Sequence, residues 1–253
     1  MDKRYIQLYS LHEEAEKDFE GTLKRVADMG YTGVEFANFY GGLSASDLKK
    51  LMKNLSLEPL GSHITTDEVE ANLDYASDVG FKHIIDPWAS LYKQEDALAY
   101  CEKLNKAGKL CKDRGMVFSY HNHAHEFIKG KDGYLLETML ANTDPALVSF
   151  QLDVGWVVRA GVDASALLAK YPGRFKMIHV KECSVAANPE VDLEDKSWNV
   201  ATGKGLINWQ EICTAVAKSG AEAFIVEREF TYKDDRLKCV EEDCAFLKNI
   251  KLP

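Results

Sequence analysis

The sequence of 253 residues predicts an α/β fold in which eight strand–helix units close into a single (β/α)8, or TIM, barrel. Short apolar strand candidates alternate with amphipathic helical stretches from one end of the chain to the other. Helix-ending glycines recur directly before a strand, as at Gly30, Gly80, Gly115 and Gly220. The first strand is not followed by the glycine-rich turn of a doubly wound open sheet. We therefore expect one barrel domain over residues 1–253.

Each predicted strand is a short run of mostly apolar residues that leads into polar residues. The predicted strands are Tyr5–Tyr9, Gly33–Phe36, Pro59–His63, His83–Asp86, Val117–His121, Val148–Asp153, Phe175–Val180 and Ala223–Glu227. Helical periodicity separates them over residues 15–29, 44–54, 66–79, 92–114, 133–142, 163–171, 207–218 and 233–250. A long irregular segment remains at 183–208, and we expect it to lie over the barrel mouth.

Composition excludes several classes of partner. The net charge is −9 and no basic stripe is present, which argues against nucleic acid and anionic membrane surfaces. No apolar run approaches the ~20 residues of a membrane span, and the first residues do not form a secretory signal. The six cysteines form no Cys-x-x-Cys pair, which is typical of reduced core thiols. We expect a cytoplasmic protein.

Polar side chains gather at the carboxyl ends of the predicted strands, which meet at one rim of such a barrel. The densest group follows strand five, and it consists of His121, His123, His125 and Glu126. Imidazoles and carboxylates are costly to bury in an ordinary core and are typical of metal or proton-transfer sites. The sequence therefore predicts the active site at this rim.

Four strand ends in a row supply groups that predict a metal site: Glu126, Asp153, His179 and Glu227. Three carboxylates and one imidazole form an oxygen-rich set, which suits Mn²⁺ or Mg²⁺ better than a thiolate-type zinc site does. We expect one divalent metal, with Mn²⁺ preferred and Mg²⁺, Co²⁺ or Zn²⁺ as alternatives.

These motifs make the chain similar to the xylose-isomerase-like barrels (AP endonuclease family 2), which include sugar and sugar-phosphate isomerases and epimerases and inosose dehydratase. The likeness covers nearly the whole chain, and it is carried by Gly33–Phe36, Tyr120–Phe127, Leu152–Gly155, His179–Glu182, Gly203–Gly205, Asn208–Trp209 and Glu227. The resemblance implies one divalent metal bound at Asp153, His179, Glu227 and a carboxylate from strand five.

The chain departs from this family pattern at two positions. Many of the epimerases end strand five in the metal-binding glutamate, whereas His121 precedes Asn122 here and the nearest carboxylate is Glu126. Either Glu126 reaches back or His121 takes the ligand position, and we favour Glu126. Relatives also often place a histidine where this chain has Trp156. The missing ligand argues against the multi-zinc DNA-repair chemistry of the fold.

The leading interpretation is a sugar or sugar-phosphate isomerase/epimerase that moves a proton next to a carbonyl through a metal-stabilised enediolate. We expect catalytic roles for Glu126, Glu227, His121 and Lys181, and substrate contacts from Glu35, His63, His123 and Trp156. One alternative is a lyase or dehydratase that eliminates from a keto-sugar or inosose at the same site. Another is a non-catalytic sugar-binding barrel. The expected partner is a small sugar or cyclitol, and a homo-oligomer is compatible with the sequence.

Overall fold

The computed structural model describes residues 3–186, 197–229 and 235–250. Eight parallel strands close into a barrel in the order β1-β10-β7-β6-β5-β4-β3-β2, which confirms the predicted fold. The barrel strands are β1 (Tyr5–Gln7), β2 (Gly33–Phe36), β3 (Glu58–His63), β4 (His83–Asp86), β5 (Val117–His121), β6 (Val148–Asp153), β7 (Phe175–Val180) and β10 (Ala223–Val226). A separate hairpin pairs β8 (Glu182–Cys183) with β9 (Asn199–Val200).

Helices cover the outside of the barrel. They are α1 (His12–Lys17), α2 (Phe19–Met29), α3 (Ala45–Asn54), α4 (Val69–Val79), α5 (Gln94–Asp113), α6 (Leu135–Asn142), α7 (Val154–Arg159), α8 (Ala164–Lys170), α9 (Trp209–Ser219) and α10 (Arg236–Asn249). Side-chain caps fix several of their starts, as where Ser44 accepts a hydrogen bond from the Asp47 N–H. Gly30 ends α2 in the left-handed conformation at φ 93°, which a side chain would oppose.

The structure corrects two of the predicted elements and adds a short helix. Strand one ends at Gln7 rather than Tyr9, because the Gln7 side chain accepts a hydrogen bond from the Tyr9 N–H and the chain turns into a 3-10 helix. The helical stretch 15–29 is broken at Asp18, whose carboxylate caps α2. The short helix α7 was not predicted; it starts directly at the end of β6, where Asp153 accepts from the Trp156 N–H.

The barrel interior is layered from apolar to polar. Near the amino ends of the strands lies a small apolar cluster made of Tyr5, Leu60, Ile85, Met177, Ala223 and Ile225. Above it lies a buried polar layer built from Gln7, Glu35, His63, Gln151 and His179. Register places these groups side by side, since β5 and β6 pair His121 with Gln151, and β6 and β7 pair Asp153 with His179. The polar layer therefore lies directly beneath the candidate site at the carboxyl ends of the strands.

The hairpin and the Glu182 side chain organise the described part of the segment after β7. Of the predicted irregular stretch 183–208, residues 187–196 lie outside the described part of the chain. The buried Glu182 carboxylate ties the remainder together by accepting from the Gly203 and Ile207 N–H groups and from Trp209 Nε1. All six cysteines are free and buried. Among the helices that the structure describes, none is long and apolar enough to cross a membrane.

Candidate active site

Strands β5, β6 and β7 and the residue after β10 bring His121, Asp153, His179 and Glu227 together. One ligand atom from each of them lies within 4.8 Å of the others, and all four residues are buried. Asp153 Oδ1 accepts from the Trp156 N–H at 2.9 Å, whereas the buried Oδ2 accepts no well-aligned hydrogen bond and lies 3.1 Å from the Lys181 ammonium. Two imidazoles and two carboxylates in this arrangement are a donor set that fits a divalent metal.

Glu126 does not join this cluster, although it was the favoured ligand from strand five. The Tyr120 hydroxyl donates to Glu126 Oε1 at 2.6 Å, and the His123 N–H donates to Oε2 at 2.9 Å. Both oxygens are therefore held by β5 and the loop after it, where Glu126 lies in a 3-10 turn with its side chain fully buried. Glu126 is also not among the residues that line the cavity at the barrel mouth, so the structure gives its expected proton-transfer role no support.

His121 occupies the place beside Asp153 that Glu126 was expected to fill. Its Nδ1 lies 2.9 Å from Gln151 Oε1, and its Nε2 lies 4.0 Å from Asp153 Oδ2. Burial, together with the neighbouring His179, lowers the pKa of His121 well below its usual range. A neutral imidazole is the form that binds a metal.

Glu35 lies beneath the cluster rather than against a substrate. Its Oε1 accepts from Gln7 Nε2 at 2.8 Å and lies 2.8 Å from His179 Nε2 and 3.0 Å from His63 Nε2. Its Oε2 accepts from Gln151 Nε2 at 2.7 Å. With both oxygens occupied and no exposed surface, Glu35 orients His179 instead of making the predicted substrate contact.

Lys181 is a fully buried cation among the site carboxylates. Its Nζ lies 2.9 Å from Glu227 Oε2, 2.9 Å from Glu229 Oε2 and 3.1 Å from Asp153 Oδ2. Burial alone would lower the pKa of Lys181, but the three carboxylates outweigh it and hold the pKa well above its usual value. The ammonium is thus a fixed positive charge that keeps Glu227 and Glu229 in place.

The pKa values of His179, Glu227 and Asp153 are also set by burial on one side and by neighbouring charges on the other. Burial opposes the charge on His179, yet the carboxylates of Glu227 and Glu35 raise its pKa to about 10. Its Nδ1 lies 2.8 Å from Glu227 Oε2. Burial would raise the pKa of Glu227, but Lys181 and His179 lower it well below its usual value. Burial raises the pKa of Asp153 to about 6.

A cavity of about 320 Å³ opens onto this cluster at the barrel mouth. It is lined by Tyr9, Ala37, Asn38, His63, Thr65, Glu68, Pro87, Trp88, His121, His123, Glu227 and Glu229. The predicted substrate residues His63 and His123 are in this lining. Trp156 is not, because it is fully buried behind His123, with the two rings 5.2 Å apart.

His123 has the features of a proton-transfer group. It lines the cavity, and its Nδ1 is buried without a hydrogen-bond partner. Burial, followed by the charges of His121 and Lys181, lowers its pKa well below the usual value, so the imidazole is neutral at pH 7. A neutral imidazole beside this group of candidate metal ligands can accept a proton.

Sequence reasoning missed several lining residues, of which Glu229 is the most consequential. Its signal was available, because Glu229 follows Glu227 by two positions, and alternate residues of an extended segment face the same side. Tyr9 and Asn38 carried no comparable signal, since the 3-10 helix after β1 and the loop after β2 bring them to the cavity. Asn38 has a left-handed backbone at φ 54°, a conformation that is uncommon outside glycine.

Comparison with known proteins agrees with the fold. The sequence profile of the xylose isomerase-like TIM barrel family matches residues 23–250, and the chain belongs to this family. It is 26% identical over 278 aligned positions to an inosose dehydratase of Clostridium beijerinckii, covering 91% of both chains. It is also 26% identical to inosose dehydratase 2 of Bacillus cereus, covering 85% of this chain and 83% of that one.

Solved structures give the same fold. A sugar phosphate isomerase/epimerase of Parabacteroides distasonis superimposes with a TM-score of 0.80 at 25% identity, covering 98% of this chain and 94% of that chain. The IOLI protein with a bound zinc atom superimposes with a TM-score of 0.78 at 14% identity, covering 97% and 96%. The second likeness is one of fold alone. The family contains enzymes of both the isomerase and the dehydratase kind.

Proposed function

We propose that this protein is a metal-dependent dehydratase that eliminates water from a keto-cyclitol or a related keto-sugar. Relatives named inosose dehydratase match along 83–91% of their own length, which supports this reaction over the isomerisation we first expected. The observation that carries the proposal is the neutral, cavity-lining His123 beside the cluster of His121, Asp153, His179 and Glu227.

In this proposal the metal ligands are His121, Asp153, His179 and Glu227, with His121 replacing Glu126. A bound divalent ion would supply Lewis-acid polarisation of the substrate carbonyl. Two imidazoles and two carboxylates accept Mn²⁺, Co²⁺ and Zn²⁺, and we keep Mn²⁺ as the first ion to test. Glu35 holds the His179 ring by its Nε2, so that Nδ1 faces the other ligands.

His123 carries the proton in the proposed elimination. An imidazole nitrogen accepts the proton from the carbon next to the carbonyl, and the C–H electrons form a C=C bond to the β-carbon as the C–O bond of the β-hydroxyl breaks. The imidazolium gives that proton to the departing oxygen, and the group leaves as water. One residue thus serves as base and then as acid, and Lys181 holds the carboxylates of Glu227 and Glu229 in position.

Isomerisation or epimerisation is the second candidate, and the similarity to the Parabacteroides structure favours it. This reaction needs a group that returns the proton to carbon. Glu227 and Glu229 line the same cavity and are the candidates for that role. Water loss separates the two reactions, because only the dehydratase changes the elemental composition of its substrate.

The test is proton NMR of the Mn²⁺-reconstituted protein in D₂O with a panel of inososes, 3-keto-glycosides and ketoses, the paramagnetic ion being removed before spectra are recorded. A dehydrated, unsaturated ketone is the expected product, and His123→Phe should abolish its formation. Deuterium next to the carbonyl with a new epimer or aldose would instead assign an isomerase. If neither exchange nor elimination occurs while metal is bound, the catalytic proposal fails for these substrates.

A further inference from the structure

Two aromatic rings are partly exposed where they line the cavity. Tyr9 is 40% exposed and Trp88 is 38% exposed, although large aromatic side chains are usually covered. Tyr9 stacks on His12 with ring centroids 4.8 Å apart. Trp88 packs against His125 at 4.4 Å, and His125 Nε2 in turn lies 2.8 Å from the Ala89 carbonyl oxygen. Both rings are therefore held in place with surface left open for a ligand.

The charged groups of the lining are all acidic in the described part of the chain. Glu68, Glu227 and Glu229 contribute carboxylates, and the described lining contains no lysine or arginine. Lys181, which lies behind this lining, is fully buried and already contacts three carboxylates. A divalent ion bound at the cluster would be offset, together with the charge of Lys181, by the carboxylates of Asp153, Glu227 and Glu229. The carboxylate of Glu68 would then keep the outer wall of the cavity negative.

Polar uncharged groups complete the outer wall. Asn38 and Thr65 line the cavity beside Glu68. Thr65 Oγ1 donates to Glu68 Oε2 at 2.6 Å, which holds that carboxylate at the wall. Aromatic faces with amide, hydroxyl and carboxylate groups between them recognise a ring that has apolar C–H faces and hydroxyl edges.

From this arrangement we propose that the site selects an uncharged polyhydroxylated ring and rejects the phosphorylated or carboxylated form of that ring. Glu68 is the specificity-determining residue that repels the anion, and Trp88 is the platform on which the ring lies. The proposal rests on the proposed function for the class of ligand. The similar Parabacteroides structure is named as a sugar phosphate isomerase/epimerase. We propose an unphosphorylated ligand for this chain, because the described lining contains no lysine or arginine that could bind a phosphate ester.

The test measures binding rather than turnover. Isothermal titration calorimetry of the Mn²⁺-reconstituted protein compares two unreactive probes, myo-inositol and myo-inositol monophosphate. We expect the neutral ring to bind at least about ten-fold more tightly, by like-charge repulsion of the phosphate. Glu68→Gln should narrow that ratio by about three- to ten-fold, and added salt should narrow it further. Trp88→Ala should weaken the binding of myo-inositol.

Glu70→Gln is the matched control, since Glu70 is an exposed residue of the same helix end and does not line the cavity. It should leave the ratio unchanged. Tighter or equal binding of the phosphate ester overturns the proposal, and so does binding of neither probe. The dehydratase proposal fails separately, when the neutral ring is selected but no keto-cyclitol reacts in the D₂O assay.

Discussion

The two ends of the barrel handle charge in opposite ways. At the amino ends of the strands, Glu58 accepts hydrogen bonds from Lys3 at 2.7 Å, from Tyr5 at 2.8 Å and from Lys82. The lysine side chains there are 51% and 61% exposed. At the carboxyl ends, Lys181 has no exposed surface and faces three carboxylates, of which Glu227 also contacts His179.

The difference separates a stabilising surface network from a binding site. Exposed ion pairs cost little to form and contribute little, whereas each buried charge carries a large desolvation penalty. Among the residues that the structure describes, a metal-compatible cluster of buried groups beneath an open cavity is found at the carboxyl end. This contrast predicts that equivalent substitutions have very different effects at the two ends.

The largest effect is expected from Asp153→Ala, which removes a proposed metal ligand. Metal affinity should fall by roughly 10²-fold or more, and dehydration should be lost with it. A competition titration with a chromogenic chelator measures the affinity, and initial rates measure the activity. Asp113→Ala, at an exposed residue of α5, is the control and should change neither. Unaltered metal binding in Asp153→Ala would remove the metal centre from this position.

His123→Phe separates proton transfer from metal binding. The aromatic ring keeps the packing against Trp88 and Trp156 but has no nitrogen to accept a proton. We expect kcat to fall by about 10²- to 10⁴-fold while metal affinity stays within about two-fold. His12→Phe, at a ring outside this cavity lining, should retain turnover. Normal kcat in His123→Phe would assign the base to another residue.

Lys181→Met tests the buried cation. Removing the ammonium leaves Asp153, Glu227 and Glu229 without their shared partner, and we expect a loss of about 3–5 kcal/mol in the free energy of unfolding. Urea unfolding at pH 7 without divalent metal measures it. Saturating divalent ion should recover part of the loss by binding the folded state. A change below 1 kcal/mol would contradict the role of Lys181 as the stabilising charge.

Asp86 gives a pH-dependent prediction at the end of β4. Burial raises the pKa of Asp86 from its usual value of 3.8 to about 7. The hydrogen bond from the Tyr100 hydroxyl opposes this shift but is the smaller effect. The folded state therefore holds a proton that the unfolded state releases, and this contribution to stability falls as pH rises from about 4 to about 7. Asp86→Asn should be more stable than the parent at pH 8, by on the order of 1–2 kcal/mol, with a smaller difference at pH 5. Thermal unfolding at both pH values measures it, and an equal difference at the two values would refute the assignment.

The smallest effect is expected at the amino end. Lys82→Met removes an exposed partner of Glu58, while Lys3 and Tyr5 remain. The free energy of unfolding should change by less than about 1 kcal/mol, and dehydration should be unaffected. Measured beside Lys181→Met, this variant gives the direct comparison of the two ends. A loss as large as that of Lys181→Met would mean that the ends do not differ as proposed.

Much of the fold was predictable because strand and helix periods are local properties of the chain. Seven of the eight barrel strands both start and end within one residue of the predicted bounds. Strand one was predicted too long, since the turn after Gln7 depends on a side-chain hydrogen bond that periodicity does not report. The helix α7 was missed for a related reason, because Asp153 starts it by capping at the strand end.

The residues that gather at the site were largely predictable, but the contacts among them were not. Asp153, His179 and Glu227 gather at the rim as expected. Composition alone did not distinguish Glu126 from His121, because the Tyr120 hydroxyl of β5 and the His123 N–H of the following loop bind Glu126 only once the chain is folded. Nor did it indicate that Glu35 lies beneath His179 and Trp156 behind His123, since those depths follow from side-chain packing.

The sequence by itself determined the barrel and the end of it that carries the chemistry, because the alternation of elements and the polar residues at strand ends are written along the chain. Only the tertiary structure decided which of those groups face each other, the cavity or the interior. The physical reason is that hydrogen bonds, ion contacts and burial join residues far apart in sequence, as Lys181 and Glu229 are joined at 2.9 Å. Those contacts decide which groups can bind a metal and which can carry a proton.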